Sequence, residues 1–373
     1  MHFLVQINNN AHEWAGTMVQ SGEHPRLPLP YAYGAAFLKR GHKLSAINTA
    51  PVLQPAGHLD PFESVYSPAE LSKALRGVDF GMLWGGVGLS GLARQLVSRP
   101  YANKVIFNSY VWNLDRSPSL RSRKAVGIAR MATRFSKTAV FITREQATAA
   151  KAVLGHKKAV VTLTCGIDTS FYSTPSYFAD VPEIYRDRVE RLLSGPYMIL
   201  PGDELRFNRD ALDLVAETGI PMVRISQYSA SHMSELRKEI AARKIEDKFL
   251  VFEKVSYPFL RFLFRNAAMY AGLVNSDWQP AGWTTACEAL ASGTPAVAYE
   301  GLASRELSRL GADASFLRAA PAKDIRKFKD LASDFLSAGY KNKISPKIID
   351  FSESRLDLET TGEAFAREIE AVI

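Results

Sequence analysis

The sequence predicts two facing α/β domains, each built on a doubly wound, mostly parallel sheet. Three observations predict it. Short apolar runs rich in β-branched residues alternate with amphipathic stretches along most of the chain. A polar stretch punctuated by Pro175, Pro182, Gly195 and Pro196 divides that alternation into two series. The length, 373 residues of which 47% are hydrophobic, suits two cores better than one.

The first series starts with Phe3–Ile7 and continues through Lys43–Ile47, Phe80–Trp84, Val105–Phe107, Val140–Ile142 and Val160–Leu163. Their length, β-branched content and helical spacers mark them as buried parallel strands. Helices are predicted between them at Tyr31–Lys39, Pro68–Leu75, Leu89–Val97, Arg121–Lys137 and Arg144–Leu154, so the first domain spans residues 1–173.

Residues 174–196, with the charged helix-like run Ile184–Leu193, are expected to link the domains. The second series has strands at Tyr197–Leu200, Met222–Ile225, Phe249–Phe252, Met269–Leu273 and Ala296–Ala298. Helices are predicted at Arg209–Glu217, His232–Arg243, Tyr257–Asn266 and Thr284–Ala291, placing the second domain at 197–355. In the remaining segment, 356–373, acidic and apolar residues recur at helical spacing over Thr361–Ile373, and this helix is expected to pack back toward the first domain.

The formal charge of +8 favours acidic partners: nucleotide phosphates, an anionic bilayer or nucleic acid. Arg116–Lys137 holds seven basic residues and no acidic one, with Arg123, Arg130, Arg134 and Lys137 on one helical face. Two readings compete with a plain solvated face, peripheral contact with an anionic membrane and contact with a DNA backbone, both through Arg121–Lys137. The two cysteines, Cys165 and Cys287, have no metal-ligand spacing, so neither a metal site nor a disulfide framework is predicted. With no basic leader and no eighteen-residue apolar window, the expectation is a cytoplasmic protein whose membrane contact is at most peripheral.

Doubly wound sheets bind ligands beyond the carboxyl ends of their strands, and two facing domains form a cleft from two such edges. The run Asp277–Glu300 follows an apolar strand at that edge. Gly282, Trp283, Thr284 and Thr285 should open a helix whose free amides and dipole suit a diphosphate. A plainer alternative is an N-cap by Thr284 or Thr285. Glu288, about a turn further on, can accept hydrogen bonds from ribose hydroxyls. Trp278 and Trp283 are candidates for sugar or base contacts, with core packing the competing reading.

The run resembles the signature of glycosyltransferases of the GT-B fold, in particular the retaining family 4. That family carries a glutamate, seven residues, a second glutamate, then Ala-hydrophobic-Ala-x-Gly-x-Pro; Glu288-Ala-Leu-Ala-Ser-Gly-Thr-Pro matches the second half, and Pro280 stands at the first glutamate. Arg40-Gly41-His42 resembles the family's Arg-Gly-His turn, and Gly166-Ile167-Asp168 its Gly-Val-Asp segment. Asn208-Arg209-Asp210 resembles its Asn-Lys-Asp step.

The resemblance implies two Rossmann-like domains around an interdomain cleft and a UDP- or GDP-sugar as co-substrate, with no cofactor. Arg209 and Glu288 would be the principal site residues, assisted by Arg206. Base contacts are implied near Arg224–Gln227 and Phe252–Val255. The implied activity is metal-free transfer, with retention, to a saccharide or lipid-linked acceptor. His12, Glu13 and Asp115 are acceptor-side candidates, and His24 lies in the same loop as the first two. Two alternatives remain open: transfer to a hydroxymethylated pyrimidine in DNA, and a non-catalytic nucleotide-sugar-binding protein.

Overall fold

The computed structural model describes residues 1–7, 24–28, 31–48, 57–59, 61–84, 96–108, 136–154, 160–162, 165–202, 208–226, 230–253, 255–274, 276 and 280–373. The first sheet takes its strands from β1 (His2–Ile7), β2 (Lys43–Asn48), β3 (Gly57–Leu59), β4 (Phe62–Tyr66), β5 (Phe80–Trp84), β6 (Val105–Asn108), β7 (Thr138–Phe141) and β8 (Val160–Thr162). Their order is β3-β4-β2-β1-β5-β6-β7-β8, parallel except where β3 meets β4. Strand order reverses beside β1. That strand is buried on both faces: Phe3, Val5 and Ile7 join one cluster and Leu4 another, with Gln6 buried beside Leu4.

The helices flanking this sheet depart from the expected boundaries where the chain bends. The predicted helix Tyr31–Lys39 is a π-helical turn, Tyr31–Ala35, running into α1 (Ala36–Lys39). A 3₁₀ turn over Pro68–Glu70 precedes α2 (Leu71–Arg76), and α3 (Arg144–Leu154) matches its predicted span. The predicted helix Leu89–Val97 lies almost wholly outside the described residues, as do 121–135 of Arg121–Lys137. Lys137 itself is not helical. It sits in a bend before β7, where its amide donates to the Val105 carbonyl and its ammonium to the Ile373 carbonyl at 2.6 Å.

After α4 (Thr169–Ser173), residues 174–196 do more than join the domains. Two 3₁₀ turns lead into α5 (Arg186–Leu193), which buries Val189 and Leu192. Tyr185 packs its ring 4.8 Å from Phe252 and 5.8 Å from Phe259, fastening this segment to the second domain.

The second sheet comprises β9 (Met198–Pro201), β10 (Met222–Ser226), β11 (Phe249–Glu253), β12 (Met269–Gly272), β13 (Ala296–Tyr299) and β14 (Leu317–Ala320). It is parallel throughout, in the order β11-β10-β9-β12-β13-β14, with the order of connection reversing between β9 and β12. Its helices are α6 (Asn208–Thr218), α7 (Ala230–Ala242), α8 (Tyr257–Asn266), α9 (Trp283–Ala291), α10 (Leu302–Arg309), α11 (Ile325–Ala332) and α12 (Tyr340–Arg355). The elements α10, β14, α11 and α12 are not among the predicted ones. β14 reads Leu-Arg-Ala-Ala, with a single large apolar residue, and α12 carries Pro346 inside it.

The chain returns to the first domain through α13 (Leu358–Val372). Phe365 meets Tyr33 and Phe37 edge-on, and Glu370 accepts from Arg40 Nε and His42 Nε2, each at 2.7 Å. The Arg40-Gly41-His42 turn, with Gly41 at φ +77°, thus grips this helix. Outgoing and returning segments touch: Ile167 N–H donates to the Leu356 carbonyl at 2.7 Å, and Leu358 N–H to the Ile167 carbonyl at 2.9 Å. Gly166 permits the approach, since a Cβ there would lie 2.7 and 2.8 Å from the carbonyl oxygens of Leu356 and Asp357. Arg26 binds both segments, donating to Asp168 from its amide, Nε and Nη2, and to Glu359 from Nη1.

A second contact between the domains joins α3 to α10, where Arg305 holds both carboxylate oxygens of Glu145 at 2.8 and 3.1 Å. Cys165 and Cys287 are free and buried, and burial pushes the Cys165 thiol up to about 12. Among the described residues, no helix is long and apolar enough to cross a membrane.

Candidate functional site

The reversal of strand order between β9 and β12 sets the site's position, because the connections leaving the two strands diverge to opposite faces and open a crevice at their carboxyl ends. α6 starts after β9 on one side of this crevice, and α9 starts after β12 on the other. Both beginnings carry expected site residues.

At α9 the N-cap is Gly282, in the left-handed conformation at φ +80°. It has no side chain to cap the helix, so neither Thr284 nor Thr285 serves as N-cap. Trp283 N–H is taken by the Pro280 carbonyl at 3.1 Å, while the amides of Thr284 and Thr285 precede the helix's own i→i−4 ladder. Thr284 is exposed and Thr285 half-buried. Loop and strand close tightly behind this turn, since a Cβ on Gly301 would lie 3.1 Å from the Ser276 carbonyl oxygen. A small concavity beneath the helix start is lined by Val274, Ser276, Gly282, Ala286 and Gly301.

Trp283 departs from the expected donor contact. Its ring is 3% exposed, and its indole N–H donates to the Cys165 carbonyl at 2.7 Å. It packs across the domain interface, which leaves its side chain no face for a ligand. Arg224 and Phe252, named with the implied base-contact loops, are 1% and 0% exposed and turned into the second domain.

Glu288 is partly exposed and lies on α9 among buried Cys287 and Ala289. Its Oε1 accepts from the hydroxyl of Tyr172 at 2.8 Å. Enough protein encloses the carboxyl that desolvation pushes it up to about 7, against the lowering effect of the Tyr172 hydrogen bond. Tyr172 comes from α4, beside the crossover between domains. It was not singled out, because its partner lies 116 residues away and no local pattern joins them.

Across the crevice, Arg209 is exposed in the first turn of α6. Its neighbour Asp210 accepts from the Tyr299 hydroxyl at 2.9 Å, tying the start of α6 to the end of β13. Arg206, Trp278, His12, Glu13 and Asp115 lie outside the described residues. His24 is described and exposed; its ring packs edge-on against Tyr257 at the start of α8, with centroids 5.7 Å apart. A wider groove along β11, lined by Arg188, Arg191 and Arg237, contains none of the expected site residues.

No protein-family model and no curated protein matches the chain by sequence. Solved structures match along its whole length. A sucrose-phosphate synthase from Thermosynechococcus elongatus superposes with a TM-score of 0.71 at 10% identity, over 100% of this chain and 98% of that one. HepE of Anabaena, in complex with UDP-glucose, gives 0.69 at 13% identity over 100% of both chains. A UDP-forming α,α-trehalose-phosphate synthase from Burkholderia xenovorans gives 0.71 at 10% identity, over 100% and 99%. The likeness establishes the fold: two Rossmann-like domains in the GT-B arrangement.

Proposed function

We propose that this chain is a glycosyltransferase that moves a sugar from a nucleoside diphosphate to a saccharide or lipid-linked acceptor, with retention and without a metal. One observation carries the reading: in a GT-B fold, an uncapped helix opened by Gly282 starts at the second domain's switch point with Glu288 further along it. The nucleotide bound in the HepE structures is that protein's ligand, and it supports a uridine nucleotide as the first donor to test here.

In this reading the amides of Thr284 and Thr285 and the guanidinium of Arg209 take up charge on the diphosphate as it leaves. Arg206 assists. Glu288 accepts hydrogen bonds from the ribose. The bond between the anomeric carbon and the phosphate oxygen breaks, a bond to the acceptor oxygen forms on the same face, and the acceptor proton passes to the departing phosphate.

Calorimetric titration with UDP-glucose, the other UDP-sugars and GDP-sugars tests it. Binding is expected with at least one donor, weakened about tenfold or more by Glu288→Ala or Arg209→Ala. Absence of heat with every donor overturns the reading, and undiminished binding in both variants overturns the site.

A further inference from the structure

Glu288 receives its hydrogen bond from outside its own domain's sheet and helices. The donor, Tyr172, sits on α4, immediately after the segment Gly166–Asp168 where the chain leaves the first domain. The position of its hydroxyl is determined from several sides. Tyr172 is 2% exposed, with Phe171 edge-on at 5.2 Å and Phe264 at 6.5 Å. The carboxyl end of α4 is held by α8: Arg265 donates to the Ser173 carbonyl at 2.9 Å, and Arg261 to that of Phe171 at 3.2 Å while stacking over its ring. A phenol packed this firmly has little freedom to follow a moving carboxylate.

We propose that Tyr172 is a positioning residue for nucleotide binding: its hydroxyl fixes one oxygen of Glu288, leaving the other aimed and ionised to accept from a ribose diol. The inference rests on the donor-binding reading above. It adds that the second domain's nucleotide site is completed by a residue of the crossover, so its affinity depends on how the two domains are joined.

Among the described residues, the charged and titratable groups around the pair leave Tyr172 as the partner that favours the anion. On α9, Cys287 is buried and its thiol pushed up. On α8, Arg261 and Arg265 are turned to backbone carbonyls of α4, and Tyr257 acts on Tyr172. From β12, Tyr270 is buried with its phenol raised, and Arg224 acts on that phenol. Asp168 is engaged by Arg26, and Lys341 of α12 donates to the carbonyls closing α8. The forces acting on Glu288 are burial, which favours the acid, and the Tyr172 hydrogen bond, which favours the carboxylate.

The test is UDP affinity measured by calorimetry from pH 5.5 to 9, with circular dichroism confirming the fold. Wild-type affinity should fall as pH drops through the neutral range. Tyr172→Phe should move that midpoint upward by roughly one pH unit, weakening UDP about fivefold at pH 7 while leaving it within about twofold of wild type at pH 9. Glu288→Gln should flatten the profile. Should Tyr172→Phe fail to fold, 3-fluorotyrosine at position 172, a stronger donor of nearly the same shape, should move the midpoint downward. A midpoint that neither change moves, with UDP still bound and still sensitive to Glu288→Gln, overturns the inference alone. Absence of UDP binding at every pH overturns the donor-binding reading and this inference with it.

Discussion

At the scale of single residues, Glu288 is a carboxylate in surroundings that oppose its charge. The free Glu288 carboxyl retains its proton up to about 7, whereas in an unfolded chain it would release it near 4.5. Between those values the native state binds more protons than the unfolded one, so this group's contribution to stability declines as pH rises. Glu288→Gln removes the charge and keeps an oxygen to accept from Tyr172. It should therefore melt roughly 2–4 °C above wild type at pH 8 and level with it near pH 4.5, in thermal scans without ligand. A difference that does not change with pH would mean that the carboxylate is well solvated. If Glu288 serves the proposed donor site, the same variant should lose donor affinity in calorimetric titration while gaining stability.

At the scale of elements, the first turn of α9 divides between Thr284, which is exposed, and Trp283, which is buried against the first domain. Trp283 occupies the interface, and Trp283→Phe strips the buried Cys165 carbonyl of its donor. A loss of about 1–3 kcal/mol in denaturant unfolding is expected, with UDP affinity nearly unchanged; a loss of affinity without loss of stability would return the indole to the ligand. Position along α9 was legible in the sequence, because strand, glycine and helix follow one another there. The direction of each side chain was not, since a helix start shows which residues are near a ligand but not which way the partner domain lies. Strands such as β1 were legible because burial on both faces gives the apolar run Phe3-Leu4-Val5, with Ile7 beyond Gln6. β14, with its small side chains and Arg318, and α12, with its internal proline, hold their places through tertiary packing that no local pattern records. Tyr172 escaped for the same reason: the crossover motif Gly166-Ile167-Asp168 was visible, but only folding brings its neighbour to Glu288.

At the scale of the whole molecule, the two domains are joined by a doubled crossover, and α13 closes over the first sheet. The clamp on that helix is ionic, with Arg40 and His42 holding the Glu370 carboxyl down to about 2. A depressed carboxyl stabilises the fold above its ordinary range near 4.5 and stops doing so as pH falls toward 2. Glu370→Gln should thus lower the melting temperature modestly at pH 7, by an amount on the order of a surface ion pair, and by progressively less below pH 4.5. A deficit that persists unchanged at pH 2.5 would assign the effect to packing instead. The placement of α13 also bears on the order in which the protein is made. The described strands of the first sheet are complete by Thr162, yet the helix that covers Tyr33 and Phe37 begins only at Leu358. At about 5–20 residues per second, roughly 10–40 seconds of translation separate the two. During that interval the nascent first domain lacks the helix that packs on Tyr33 and Phe37, so this aromatic face is completed only when the second domain has been synthesised and the chain turns back.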